Sequence, residues 1–284
     1  MDRVGIIGGS GLYQIDVLKD IKEVKVKTPF GDPSDSYMVG NLEGIEAVFL
    51  PRHGRGHKIL PTELNYRANI YGMKKLGVER IVSVSAVGSF KKELKPLDIV
   101  LPDQFVDRTN QARKTTFFGE GVVAHISFAE PVCSDLRDLI YDAGKGLGVT
   151  IHNKGIYLNM EGPAFSTKGE SCLYKSWGMD IIGMTNMAEA RLAREAEICY
   201  ATVAFITDYD CWHEEVVTID MVIKNLTKNV ETAKKLIKKI VPMLSGKREC
   251  NCKNALQYAI VTDKKLIPRH TKQKLDIIIG KYIG

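Results

Sequence analysis

The chain has 284 residues, of which 44% are hydrophobic and 26% charged, a balance ordinary for a globular protein and wrong for a disordered one. A chain this long buries about three quarters of its extended surface, so it needs no disulfide or metal staple. The net charge of +6 divides into +11 for residues 222–284 and −5 for the first 221, which argues against a basic nucleic-acid binder and assigns the excess to solvated terminal helices.

No apolar run approaches about 18 residues, so no membrane partner is expected. The opening MDRVGIIGGSGLY lacks the basic and long apolar regions of a signal peptide. The expected location is the cytoplasm.

In chain order, Arg3 to Ile7 reads as a short apolar strand running into Gly8-Gly9-Ser10-Gly11. Lys22 to Lys27 alternates with the period of a half-exposed strand. Tyr37 to Val39 and Ala47 to Leu50 form a hairpin around Asn41 to Gly44, and Pro61 to Leu76 fits a helix ended by Gly77. Glu79 to Ser85 is a strand entering a small-residue loop, Ala86-Val87-Gly88-Ser89, and Asp98 to Leu101 is another strand. Cys133 to Leu147 is a helix, Lys154 to Met160 a strand, Lys168 to Trp177 a helix, Asp180 to Gly183 a strand and Met187 to Glu197 a helix. Tyr200 to Ile206 is the most apolar strand and ends in Thr207-Asp208-Tyr209-Asp210. Thr218 to Ile240 is a long amphipathic helix with lysines toward its end, the sign the helix dipole favours. Apolar strands alternating with helices predict one α/β domain, a central mixed twisted sheet flanked by helices.

Four strand ends carry residues with chemistry. The glycine loop after the first strand lacks the third glycine of a dinucleotide fingerprint and the Lys of a Walker A loop. What it offers is backbone N–H groups and the Ser10 hydroxyl. Pro51-Arg52-His53-Gly54-Arg55-Gly56-His57 sets two arginines and two histidines among glycines, natural around an anion, with Arg52 as a fork for phosphate and His53 as a further donor. A metal on His53 and His57 is disfavoured, because the glycines oppose helical i, i+4 spacing. Ser85 and Ala86 let backbone approach a ligand closely. Thr207, Asp208 and Asp210 sit where open α/β sheets bind ligands. A protonated Asp there could donate to a purine N7 while a second carboxylate accepts from a 6-amino group.

The six cysteines show one CxC and no CxxC, so no zinc-ribbon or zinc-finger spacing is present and no metal is expected. Cys172 and Cys211 read as isolated buried thiols. Cys250-Asn-Cys252 stays open between a redox pair, half of a metal site and chance.

Seven ordered segments carry a resemblance that covers residues 4 to about 260. They are Gly5-Ile-Ile-Gly-Gly-Ser-Gly-Leu12, Pro51 to His57, Asn65-Tyr-Arg-Ala-Asn69, Pro102-Asp-Gln-Phe105, Glu161-Gly-Pro-Ala-Phe165, Gly183-Met-Thr185 and Thr207-Asp-Tyr-Asp-Cys-Trp212. The sequence resembles the trimer-forming, methylthioadenosine-cleaving branch of the purine nucleoside phosphorylase family. The resemblance implies phosphorolysis of 5'-methylthioadenosine to adenine and 5-methylthio-α-D-ribose 1-phosphate, with inorganic phosphate as co-substrate and no cofactor. The alternative is a broader phosphorylase acting on adenosine, inosine or guanosine. It further implies that Ser10, Arg52, His53, Ser85, Ala86 and Thr185 hold phosphate. Met184 would meet the ribose and bind its hydroxyls through backbone, and Phe165 would lie against the base. Asp208 and Asp210 would read N7 and the 6-amino group beside Thr207, and Ile219, Val222 and Ile223 would line an apolar 5' pocket. His125 would reach a neighbouring subunit's site, which requires a homo-oligomer, a trimer or a dimer of trimers. Residues 1–261 would form the phosphorylase domain, and 262–284 an extension packing on the body or a neighbour.

Gly183 stands where animal members carry Asn, and Asn186 to Glu189 lacks their Pro. Thermophilic members use cytosolic disulfides and a C-terminal CxC. The resemblance therefore implies a Cys133–Cys199 disulfide, a match of Cys250 and Cys252 to the CxC, and a thermophilic source.

Overall fold

The computed structural model describes residues 3–12, 17–110, 112–212 and 219–283. Among these residues, eleven strands share one mixed sheet: β1 (Arg3–Gly8), β2 (Lys19–Val24), β3 (Tyr37–Leu42), β4 (Ile45–Pro51), β5 (Val78–Ser89), β6 (Ile99–Val100), β7 (Gln104–Arg108), β8 (Ile151–His152), β9 (Ile156–Met160), β10 (Ile181–Gly183) and β11 (Cys199–Asp208). The helices that flank it are α1 (Tyr66–Lys75), α2 (Ser134–Gly144), α3 (Lys168–Ser176), α4 (Asn186–Glu195), α5 (Ile219–Ile240), α6 (Arg269–Lys274) and α7 (Asp276–Ile283). The main path runs β2-β3-β4-β1-β5-β10-β9-β7, and β11 joins β5 to β6 and β8.

β5 is the hub. It pairs parallel with β1 and β11 and antiparallel with β10. Its last four residues, expected as a loop, remain in the ladder: Phe205 pairs with Ala86, and Ile182 and Asp208 both pair with Gly88. Small residues at the strand tip admit a partner on each edge, which composition alone reads as a turn. The β3–β4 hairpin turns on Glu43 and Gly44, both with positive φ, the demand of the tightest hairpin turns.

The sheet is covered on both faces. On one side Leu136 and Ile140 of α2 and Leu236, Ile237 and Ile240 of α5 pack with Val82, Val84, Ala201 and Val203. On the other, Ile70 and Met73 of α1, Leu192 and Ala193 of α4, and Ile278 and Ile279 of α7 pack with Ile7, Ile81 and Tyr200. The apolar stretch near the C-terminus therefore packs on the body. Helix α1 starts later than its apolar pattern because the Asn65 side chain accepts from the Ala68 N–H at 3.1 Å and so caps it there. Thr218, the expected first residue of the long helix, lies outside the described residues.

Two expectations about the cysteines need correction. Cys172 is exposed, because Ser171 and Tyr174 supply the inward face of α3, and Cys211 is half-buried in the turn Asp210–Trp212. No disulfide forms among the described residues. Cys133, Cys199, Cys250 and Cys252 are all free thiols, and Cys199 Sγ lies 3.2 Å from Cys250 Sγ. That exceeds a disulfide bond by more than an ångström.

The basic C-terminal quarter is partly spent on the acidic body. Arg248 meets Glu79 at 3.1 Å, Lys274 meets Glu120 at 2.6 Å and Lys281 meets Glu197 at 2.5 Å.

Candidate active site

The C-terminal ends of β1, β4, β5, β10 and β11 open on one cavity of about 340 Å³. Ser10, Arg52, His53, Ser85, Ala86, Phe165, Met184, Thr185, Thr207, Asp208, Asp210 and Val222 all line it. Sequence positions as far apart as 10 and 222 meet because parallel strands deliver their following loops to the same edge of the sheet.

Two residues do not line this cavity. Ile223 is 54% exposed, and Leu226 takes the place expected of it. Val222 and Leu226 are four apart and share a helix face, whereas Ile223 is turned about 100° away. The side chain of Ile219 lies outside the described residues. His125 sits away from the cavity of its own chain, where its N–H donates to the Ala259 carbonyl at 2.8 Å. Asn225 and Asn229 donate to the carbonyls of Thr207 and Ile206 at 2.8 and 3.0 Å, which fixes α5 to the end of β11.

One end of the cavity is built for an anion, though not by the expected fork. Arg52 is 1% exposed. Its Nε donates to Glu189 Oε1 at 2.5 Å, and its Nη2 donates to Glu189 Oε2 at 3.2 Å and to Ser83 Oγ at 2.6 Å. Its Nη1 donates to the Val84 carbonyl at 3.0 Å. Four of the five guanidinium N–H groups are committed, leaving one for a ligand. Burial alone would weaken the cation, but the charge and hydrogen bonds of Glu189 outweigh it and raise the Arg52 pKa. The Glu189 carboxylate also accepts from Ser83 Oγ at 2.6 Å and Tyr200 Oη at 2.8 Å. Gly9 makes room for this arrangement, since a Cβ there would lie 2.6 Å from the Val84 carbonyl oxygen and 3.0 Å from Arg52 Nη1.

His53 also differs from expectation. Burial and the Arg52 charge push its pKa down to about 4, so the ring is neutral near pH 7. Nδ1 lies 2.8 Å from the Ile59 carbonyl and must carry the proton there, which assigns the tautomer and leaves Nε2 as an acceptor rather than a donor. Thr185 is the N-cap of α4 and makes no side-chain capping bond. The dipole of that helix end suits an anion, while the Met187 N–H in its first turn is already donated to Asn159 Oδ1 at 3.0 Å. Below this helix end Asn186, fully buried, donates to Ser83 Oγ at 3.0 Å and Tyr200 Oη at 2.9 Å.

At the other end stand the two carboxylates. Asp208 Oδ2 accepts from Thr207 Oγ1 at 2.7 Å, and Oδ1 accepts from the Asp210 N–H at 2.8 Å. Both bonds favour the charged form, yet burial dominates and raises the Asp208 pKa. Asp210 is also raised, by burial first and by the Asp208 charge last, against a 2.5 Å hydrogen bond from Ser171 Oγ. Asp210 holds φ at 52°, a left-handed conformation that Asp tolerates better than most residues. Trp212 Nε1 anchors the turn by donating to the Ser89 carbonyl at 2.7 Å.

Between the two ends lie Gly183 and Met184. A Cβ on Gly183 would fall 1.9 Å from Tyr157 Oη, so Tyr157 and a glycine at this position are one structural choice. The Met184 carbonyl already accepts from Arg113 Nη1 and from Asn159 Nδ2. Both its lone pairs are taken, and the Met184 backbone can offer a ligand only its N–H. Arg113 was not anticipated. Its side chain is buried and also donates from Nε to Glu161 Oε1 at 3.0 Å.

This fold and site define a class. The profile of the phosphorylase superfamily matches residues 3–242, and the chain belongs to that family. It is 58% identical over 282 residues to the S-methyl-5'-thioadenosine phosphorylase of Geobacter sulfurreducens, covering 99% of both chains. It is 56% identical to the enzyme of the same name from Koribacter versatilis, covering 99% of this chain and 97% of that one. Among solved structures, it superposes with a TM-score of 0.92 on a methylthioadenosine phosphorylase from an antarctic soil metagenomic library, at 48% identity and covering 97% and 98% of the two chains. The Schistosoma mansoni methylthioadenosine phosphorylase in complex with adenine matches with a TM-score of 0.86 and 36% identity, covering 90% and 96%.

Proposed function

We propose that the chain is an enzyme that cleaves 5'-methylthioadenosine with inorganic phosphate, yielding adenine and 5-methylthio-α-D-ribose 1-phosphate. The observation that carries this reading is the polarity of the cavity, an anion end at Arg52, Ser85 and Thr185 and a carboxylate end at Asp208 and Asp210. Ser85 and Gly88 are three residues apart on β5, about 10 Å of extended strand. Gly88 abuts Asp208, whose Oδ1 would lie 3.1 Å from a Cβ there. A ribosyl group fits that interval.

Phosphate at the anion end is held in line with C1' by the free Arg52 N–H, the Ser10 and Ser85 hydroxyls and the N-terminus of α4. The neutral His53 accepts at Nε2 a hydrogen bond from the P–OH of a monohydrogen phosphate, which keeps its proton. As the C1'–N9 bond breaks, its electron pair moves to the purine and the sugar becomes oxocarbenium-like, stabilised by the phosphate charge. A phosphate oxygen then bonds C1'. Asp208, whose carboxyl holds its proton more tightly through burial, donates that proton to N7 of the leaving base, and Asp210 accepts from the 6-amino group. A 6-oxopurine would set its oxygen against that carboxylate. Phe165, exposed at the cavity mouth, offers a face to the base, and Val222 and Leu226 offer apolar walls to the methylthio group.

His125 completes a neighbour's site in a trimer or dimer of trimers, with residues 1–261 as the phosphorylase domain and 262–284 as its extension. No helix among the described residues is long and apolar enough to cross a membrane, and the proposed location is the cytoplasm. The test is base release from methylthioadenosine, adenosine and inosine with and without phosphate. Phosphate-dependent release of adenine, fastest from methylthioadenosine, is expected. Absence of such release overturns the proposal, and equal turnover of inosine overturns the role given to Asp210.

A further inference from the structure

The sequence spacing excludes the usual zinc motifs, but the fold brings four cysteines together far from the active-site cavity. Cys133, Cys199, Cys250 and Cys252 place their Sγ atoms all within 4.8 Å of one another. They come from three separate pieces of chain. Cys133 is the N-cap of α2, Cys199 is the first residue of β11, and Cys250 and Cys252 flank and open the 3-10 turn Asn251–Asn254. Cys133, Cys199 and Cys252 are 4%, 1% and 6% exposed.

A divalent ion bound by four thiolates at about 2.3 Å spans about 3.8 Å between sulfurs. The observed sulfur separations, from 3.2 Å between Cys199 and Cys250 up to 4.8 Å across the set, bracket that size. Two disulfides would need pairs of sulfurs at bonding distance, whereas here a fourfold convergence is found. Buried thiols have no hydrogen-bonding reason to converge, since S–H is a weak donor and S a weak acceptor. The surroundings suit an anionic centre. Arg248 Nη1 lies 4.0 Å from Cys199 Sγ, and Arg248 and Lys247 line a cavity of about 140 Å³ that also reaches Cys133, Cys199 and Cys250. That cavity gives an ion a route in.

We propose that Cys133, Cys199, Cys250 and Cys252 bind one structural zinc ion. Four protons leave the four thiols on binding, giving a tetrathiolate centre of net charge −2 beside Arg248. An all-sulfur tetrahedral set closes the coordination sphere, so the ion is structural and exposes no position for substrate. Its effect is to fasten the chain beyond α5 to the start of β11. That segment contributes Leu256, Ile267, Leu275, Ile278 and Ile279 to the core on the far side of the sheet.

The test is metal analysis of the intact protein purified under reducing conditions, by native mass spectrometry and elemental analysis. One zinc per chain is expected. A strong zinc chelator should lower the Tm of the wild type by at least about 5 °C and leave the Tm of Cys250→Ser unchanged. Cobalt(II) added to chelator-treated protein should give the intense visible bands of a tetrahedral thiolate site. Metal-free protein whose thiols are free, or joined in disulfides, overturns the proposal, as does bound iron in place of zinc. The wild-type measurement decides even if a cysteine variant fails to fold.

Discussion

The guanidinium of Arg52 donates to the carboxylate of Glu189 from two of its nitrogens, at 2.5 and 3.2 Å, with both side chains 2% exposed. The pair is neutral as a unit. The anion end of the cavity therefore offers a ligand one remaining guanidinium N–H, hydroxyls and a helix end rather than a free positive charge.

Removing Glu189 should expose this dependence. Glu189→Ala leaves a buried cation unpaired, a loss of about 3–5 kcal/mol. Denaturant unfolding should show that loss. Glu189→Gln, which keeps an acceptor, should fold better and raise the KM for phosphate at least tenfold while changing the KM for nucleoside little. An unchanged phosphate KM would remove Glu189 from the orientation of Arg52.

Asp208→Asn separates catalysis from stability. It should lower kcat by about 10²–10⁴, the span of general-acid help, with little change in phosphate KM. The same variant should melt higher than wild type near pH 7. Burial raises the Asp208 pKa, so the folded chain holds its proton more tightly than the unfolded one, and its ionised form costs stability as pH rises. A neutral amide removes that cost. Matched turnover and melting curves on the two proteins check both outcomes.

Glu195 gives a pH signature outside the site. Burial pushes its carboxyl up to about 7, although Thr116 Oγ1 and the Phe117 N–H each donate to it at 2.7 Å. Between about pH 4 and 7 the unfolded chain has released a proton that the folded chain retains. Wild-type stability should therefore fall through that window relative to Glu195→Gln, and the gap should stay constant above it. Tm measured against pH for both proteins tests this; a gap independent of pH would contradict it.

The neighbouring residues of α5 predict opposite outcomes. Leu226→Ala should lower kcat/KM for methylthioadenosine about 10- to 200-fold, the effect of removing methylene-sized pieces of the apolar wall of a specificity pocket, and affect adenosine less. Ile223→Ala, on the outward face, should leave both substrates unaffected in the isolated chain's own cavity. Equal effects would contradict this phase of the helix.

The strand-end positions of the candidate site were legible in the sequence because each one interrupts an apolar run with Gly, Ser, Arg or Asp. The way they are used was not. Arg52 reads as a phosphate fork until Glu189, 137 positions away, takes two of its N–H groups and Ser83 and Val84 take one each. His53 reads as a donor until the Ile59 carbonyl claims Nδ1. The alternation along α5 does not say which of Ile223 and Leu226 turns inward, because tertiary packing through Asn225 and Asn229 sets the helix's rotation. The small residues after Ser85 suggest a loop, but pairing partners on both edges hold them extended. The four converging cysteines lie at positions 133, 199, 250 and 252, a spacing that no local motif records.

The central strand β5 acts as a gauge. It carries Ser83 beneath Arg52, Ser85 at the anion end and Gly88 against Asp208, while its edges are locked to β1, β10 and β11. Shifting it by one residue would turn every one of these positions to the opposite face. Insertions and deletions between Val78 and Ser89 should thus abolish both halves of the site together.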